Sequence, residues 1–193
     1  MDDRLLWERF LEGDDKAYAV LYKKYVDALY SYGIKFTPDK GLVKDCIHDV
    51  FVKIYSHKKH LKPIENVKLY LYVALKNTLF NYFNEKRHFH DIDTVIEPVF
   101  NVDYLYDDFI FTEEEEQENS RNISRLLESL TPRQKEVIYY RYVEGMDLNM
   151  IRELMKMNYQ SVLNLIQRSI KKIRTSYNTK DNKNKHQMYP FLN

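Results

Sequence analysis

LTPRQKEVIYYRYVEGMDLNMIRELMKMNYQSVLNLIQRSIKKIR, residues 130–174, is the stretch whose reading decides the fold. It opens with Thr131-Pro132-Arg133-Gln134. Thr caps the orphan amides at the start of a helix, Pro suits its first position, and Gln three residues on closes a capping box. A helix therefore begins at Pro132 and ends at Glu144-Gly145. Asp147 caps a short second helix to about Met157, and Asn158 caps a third that runs to Arg174. Three helices with tight connections read as a helix-turn-helix. On the third, Val162, Ile166, Ser169 and Ile173 recur at helical spacing and form the packing stripe. Ser161, Asn164, Arg168 and Lys171 form another stripe, with short polar groups first and cations last. That order suits a helix whose first residues meet base edges and whose last residues meet phosphate. The competing reading is a helix pair in an all-helical protein, with Lys171-Lys172 a solvated turn favoured by the helix dipole. The rest of the chain decides between them.

The chain has 193 residues, 31% charged and 44% hydrophobic, with four Gly and five Pro. Long runs of Leu, Lys, Glu and Tyr with so few breakers predict an all-α protein. The length suits two small domains. There is no apolar run of about eighteen residues and no basic-then-apolar leader, so neither membrane insertion nor export is expected, and the expected location is the cytoplasm. Cys46 is the single cysteine, which excludes an internal disulfide or a thiolate zinc cluster; its apolar neighbours assign it to core packing.

The net charge of +1 conceals a partition. Residues 1–90 hold 16 Lys and Arg against 12 Asp and Glu, residues 91–118 hold none against 11, and residues 119–193 hold 14 against 6. Two basic modules thus flank an acidic connector. Basic modules suit a polyanion through counterion release, and two on one tether gain effective concentration on the same DNA. The connector carries Pro98 and Glu113 to Glu116 without sustained period. It reads as a solvated linker, with docking through Tyr104, Leu105, Tyr106, Phe109, Ile110 and Phe111 as the alternative.

In the first ninety residues, Leu5, Leu6, Trp7, Phe10 and Leu11 make an apolar helical face, Gly13 breaks it, and Asp14 caps the next helix. From Ala17 to Phe36, Tyr18, Leu21, Tyr22, Tyr25, Leu29 and Tyr32 recur every three or four residues as a core stripe. Thr37-Pro38 predicts a helix through Tyr55 with Leu42, Val43, Cys46, Ile47, Val50 and Ile54 inward. Its polar face shows Asp45, His48 and Asp49. These three supply no complete metal ligand set, and a protein-contact patch is the expected role. Beyond the basic loop 57–63, a helix capped by Asn66 should run from Val67 to Arg87. There Tyr70, Tyr72, Phe80, Tyr82 and Phe83 interleave with Lys68, Lys76, Lys86 and Arg87 and with amides at Asn77, Asn81 and Asn84. Such a surface can grip an unpaired strand, although about half of the rings are expected in the core.

The order of these parts resembles the extracytoplasmic-function sigma factors, compact members of the sigma-70 family of bacterial RNA polymerase. The parts are Gly13-Asp14 before an aromatic helix, Asp45-Cys46-Ile47-His48-Asp49-Val50-Phe51, the aromatic-basic helix, the acidic linker and the helix-turn-helix. The likeness extends over residues 5–174. It implies two helical domains: residues 1–90, which bind core polymerase and the −10 element, and residues 121–178, which bind the −35 element. The linker would be 91–120 and the tail 179–193 disordered. It further implies core polymerase contacts at Asp45, His48, Asp49 and Phe51, and a flipped-base pocket in the loop 57–66. Lys76, Asn77, Asn81, Lys86 and Arg87 would lie along the −10 strand. The −35 readers would be Gln160, Ser161, Asn164 and Arg168, with Lys171 and Lys172 on phosphate. The acidic linker would thread the polymerase's nucleic-acid channel by imitating RNA charge. No catalytic residue, cofactor or metal is implied; the partners are core polymerase, promoter DNA and, by family habit, an anti-sigma factor. The chain departs from the family pattern at Leu163 and Leu165, where basic residues are usual. It also departs at Arg152 and Lys156, where the small residue and the turn glycine stand. Two alternatives remain: a degenerate relative that docks on polymerase without selecting promoters, and a helical nuclease using Asp45, His48 and Asp49.

Overall fold

The computed structural model describes residues 2–89, 99–101 and 127–181, with side chains at 86–89 and 178–181 outside the description. Most of the connector, including residues 102–118, and the tail beyond 181 lie outside the described residues. Every described element is helical. Contacts divide the chain into two compact units, the first built on residues 1–110 and the second on most of the remainder.

The first unit contains α1 (Asp3–Leu11), α2 (Asp15–Gly33), α3 (Lys40–Ser56) and α4 (Val67–Phe89). Gly13, at φ +104°, ends α1, with Asp14 N–H donating to the Arg9 carbonyl. Only a residue without Cβ adopts that φ at low cost. Asp14 at once caps α2, its carboxylate accepting from the amides of Lys16 and Ala17. The core holds Trp7, Phe10, Leu21, Leu29, Tyr32, Val43, Cys46, Ile47, Val50, Leu71, Tyr72, Leu75 and Leu79. A Cβ at Gly33 would lie 2.6 Å from Val43 Cγ1, so α2 meets α3 through a position that accepts no side chain.

The start predicted at Thr37-Pro38 is corrected: α3 begins at Lys40, and Asp39 caps it by accepting from Leu42 N–H. Thr37 instead accepts from Asp39 N–H, which turns the chain into the cap. The connector is also corrected at its near end. Phe100 is buried, with its ring edge-on to Phe36 at 5.3 Å, and Asn101 N–H donates to the Lys35 carbonyl at 2.8 Å. Residues 99–101 therefore pack on the first unit.

In the second unit, α5 (Pro132–Ile138) starts with the predicted capping box, Thr131 and Gln134 bonding reciprocally. It continues as a π turn over Tyr139–Val143 before Gly145, at φ +65°. The wider turn accompanies two hydroxyl–carboxylate bonds, Tyr140 to Glu136 at 2.8 Å and Tyr139 to Glu144. Then come α6 (Leu148–Met155) and α7 (Tyr159–Asp181), the latter running a further two turns beyond the Arg174 expected from sequence. Asp147 and Asn158 cap them through the amides of Met150 and Ser161. α5 packs on α7, and Val137, Tyr140, Ile151, Val162 and Ile166 are buried.

Candidate nucleic-acid interface

α6, its turn and α7 form a helix-turn-helix whose turn has an unusual residue. Lys156 adopts φ +51°. Lys156 N–H donates to the Glu153 carbonyl and Met157 N–H to the Arg152 carbonyl, which is the paired bonding of a Schellman motif. Glycine is the usual occupant of that position; here a lysine carries the left-handed strain.

On α7, Val162 and Ser169 are fully buried and Ile166 nearly so, the Ser169 hydroxyl donating to the Leu165 carbonyl at 2.7 Å. Of the expected readers, Gln160, Asn164 and Arg168 are exposed, and Ser161 is half-buried. Gln160 Nε2 donates to Asn164 Oδ1 at 3.0 Å, and Arg168 Nε donates to the Asn164 carbonyl at 3.2 Å. These solvent-facing bonds between neighbours are exchangeable for bonds to base edges or phosphate. Lys171 and Lys172 are exposed beyond them. Leu163 and Leu165 are half-buried, so each spends part of its surface on packing.

In the first unit, Asn77 and Asn81 are exposed one turn apart on α4. Lys76 is half-buried, its ammonium 5.7 Å from the Phe36 centroid and 5.6 Å from that of Phe80. Lys86 and Arg87 continue α4, with side chains outside the described residues. The interleaved rings belong more to packing than to a stacking platform. Tyr72 is buried and stacked on Tyr32 at 4.5 Å, Tyr70 is edge-on to Trp7, and Phe80 packs on Phe36. Tyr82 and Phe83 remain half-exposed.

The loop 57–66 contains a 3-10 turn at Lys58–His60. Lys59, His60 and Lys62 point to solvent, while the Lys62 carbonyl accepts from the indole N–H of Trp7 at 3.1 Å. Trp7 is the residue that sequence reasoning missed here. Its period makes it one member of an apolar face, and nothing in periodicity pairs it with a loop 55 residues away.

On α3, Asp45, His48 and Asp49 are exposed as expected, and Val52 joins them at the surface. Phe51 is corrected: it is buried against Tyr18 and Tyr22, and its carbonyl accepts from the Tyr18 hydroxyl at 2.9 Å. It supports the face from beneath. An open cavity of about 310 Å³ lies beside this face, lined by Asp39, Asp45, Asp49, Cys46 and Tyr82 among others. Burial pushes the Cys46 thiol up to about 11, with the charges of Asp49 and Asp45 adding to it. Among the described residues, no three His, Cys, Asp or Glu side chains are grouped to hold a metal ion, and no helix is long and apolar enough to cross a membrane.

Comparison with known proteins follows the same division. Residues 21–89 match the family described as sigma-70 region 2, and residues 120–173 match sigma-70, region 4. No curated protein sequence matches the chain. Among solved structures it is similar to that of CnrH in complex with the cytosolic domain of CnrY, at 16% identity and a TM-score of 0.58. That match covers 92% of this chain and 97% of the other. A second, the RsbN-BldN complex, matches at 15% identity and a TM-score of 0.35, covering 88% and 97%. With sigma-70 regions 2 and 4 present in order over more than half of its length, the chain belongs to the sigma-70 family of RNA polymerase sigma factors.

Proposed function

We propose that the chain directs core RNA polymerase to promoters by binding alone, without catalytic residues or a cofactor of its own, as a cytoplasmic factor. The observation that carries this reading is the division of α7, with Val162, Ile166 and Ser169 buried and Asn164, Arg168 and Lys171 exposed, inside a sigma-70 region 4 match. Gln160, Ser161, Asn164 and Arg168 read the −35 element, and Lys171 and Lys172 neutralise its phosphates. Asn77, Asn81, Lys76, Lys86 and Arg87 follow the −10 strand, and the loop 57–66 takes its unstacked base. Asp45, His48 and Asp49 meet the polymerase clamp. Captured unstacked bases offset the cost of unpairing.

The solved complex of CnrH with the cytosolic domain of CnrY supports a further element of the proposal, that an anti-sigma partner masks this chain before release. Docking without promoter selection is less favoured, because the polar stripe of α7 stays at the surface despite Leu163 and Leu165. The nuclease reading has no three-residue ligand group among the described residues to support it. Run-off transcription on fragmented genomic DNA of the source cell, with its core polymerase, tests the proposal. Discrete new transcripts sharing two spaced upstream elements are expected; polymerase binding without new start sites would move the assignment to a docking protein.

A further inference from the structure

We propose that Trp7 is a positioning residue for promoter opening: its indole N–H holds the loop 57–66 in shape before DNA arrives. The inference rests on the reading of that loop as the seat of an unstacked base. Trp7 lies on α1, ahead of the region 2 match, which begins at residue 21. It is 1% exposed, so its N–H has no access to water and is committed to the Lys62 carbonyl at 3.1 Å.

The ring joins three parts of the first unit. It stands edge-on to Phe10 of α1 at 5.7 Å and to Tyr70 of α4 at 5.2 Å, and its nitrogen reaches the loop between α3 and α4. On one side of the tie, Leu61 N–H closes the 3-10 turn on the Lys58 carbonyl. On the other, Asn66 caps α4 through Leu69 N–H. Lys62 precedes Pro63, which confines it to extended backbone, and Leu61 is extended too, at φ −77° and ψ 148°. An extended segment between two fixed turns has few ways to move once one central carbonyl is held. Its side chains remain available, Lys59, His60 and Lys62 all being exposed. A fixed backbone with free side chains is what capture of an unstacked base needs, because a loop that must order itself on binding loses affinity to that ordering.

Trp7→Phe keeps an aromatic ring and removes the donor. One buried hydrogen bond of ordinary net strength corresponds to roughly a five- to tenfold effect. The test uses the full chain with core polymerase and measures open-complex formation by permanganate reactivity of the −10 strand. Holoenzyme assembly and thermal melting are measured in parallel, and a loop variant, Lys59→Ala with His60→Ala, serves as comparison. A five- to tenfold loss of opening in Trp7→Phe, with assembly as in the parent and the variant still folded at the assay temperature by its melting curve, is the expected result. Parent-like opening in Trp7→Phe together with a defect in the loop variant overturns the role of Trp7 and leaves the loop reading standing. Parent-like opening in both overturns the loop reading and the proposal with it. Should Trp7→Phe not fold, the chain's single tryptophan offers a second measurement with 7-azatryptophan in its place, excited to the red of the polymerase tryptophans. Because the tie is made before DNA arrives, its emission in the holoenzyme should be that of a water-shielded, hydrogen-bonded ring and should stay constant when fork-junction promoter DNA is added; emission that shifts on adding DNA overturns the proposal.

Discussion

Two residues show how backbone geometry and close packing leave their mark on stability. Lys156 sits at φ +51° in the turn before the recognition helix, where an L side chain costs about 1–2 kcal/mol and glycine costs about 0.5–1 kcal/mol in chain entropy. The difference favours glycine. Lys156→Gly should therefore stabilise the protein by about 0.5–1 kcal/mol in urea unfolding; a lower midpoint would mean that the lysine side chain contributes more than its backbone costs. Gly33 is the opposite case. The 2.6 Å between its built Cβ and Val43 Cγ1 leaves no room, and overpacking of a close helix contact costs about 1–3 kcal/mol. Gly33→Ala should lower the unfolding midpoint accordingly, and Val43→Ala in the same chain should recover part of the loss. Unchanged stability in Gly33→Ala would show that α2 and α3 separate freely at this point. Lys156 was legible in the sequence as a lysine in the place of a turn glycine, whereas the tightness at Gly33 was not, because it depends on which helix lies opposite.

At the scale of elements, the helices were legible where a cap and an apolar stripe agreed. Asp14, Asn66, Asp147 and Asn158 each accept from amides in the first turn of the helix they precede. Thr37-Pro38 misled because Asp39 follows directly, and the carboxylate nearer the first turn takes the amide. The π turn at Tyr139–Val143 left no periodic signal, since it inserts one residue's worth of rotation into an otherwise helical pattern. The aromatics of α4 divided between core and surface in a way that one helix's period does not reveal: Tyr72 and Asn77 are equally compatible with either side until Tyr32 is placed against the ring. On α7 the two stripes were legible because Val162, Ile166 and Ser169 repeat on one face and Asn164, Arg168 and Lys171 repeat at the same spacing on another. That division yields a test of roles. With the roles proposed above, Lys171→Ala should reduce the slope of log affinity against log salt by about one while leaving sequence preference intact, and Arg168→Ala should cost about 1–3 kcal/mol and relax preference in the −35 element. Holoenzyme binding to a panel of −35 variants at several salt concentrations measures both. Identical salt slopes and preferences in the two variants would mean that the stripe does not divide by role.

The whole chain balances its charge by segment rather than residue by residue. Its net charge of +1 arises from an acidic connector set between two basic modules. A non-specific duplex approaching the free chain meets positive surface on Lys59, Lys62, Lys171 and Lys172. The same chain carries Glu113 to Glu116 and further acidic residues between the two modules, and their repulsion of a duplex acts over a screening length of about 8–10 Å at physiological salt. The connector should therefore suppress binding to DNA that is not a promoter until polymerase engages it elsewhere. Replacing Glu113, Glu114, Glu115 and Glu116 with Gln removes four negative charges without touching either basic module. The free variant should bind a random duplex severalfold more tightly than the parent at about 0.1 M salt, measured by fluorescence anisotropy, and the difference should fade as salt rises and the screening length falls. A difference that persisted at high salt would point to a change in folding instead. Equal binding at low salt would mean that the connector's charge does not reach the duplex.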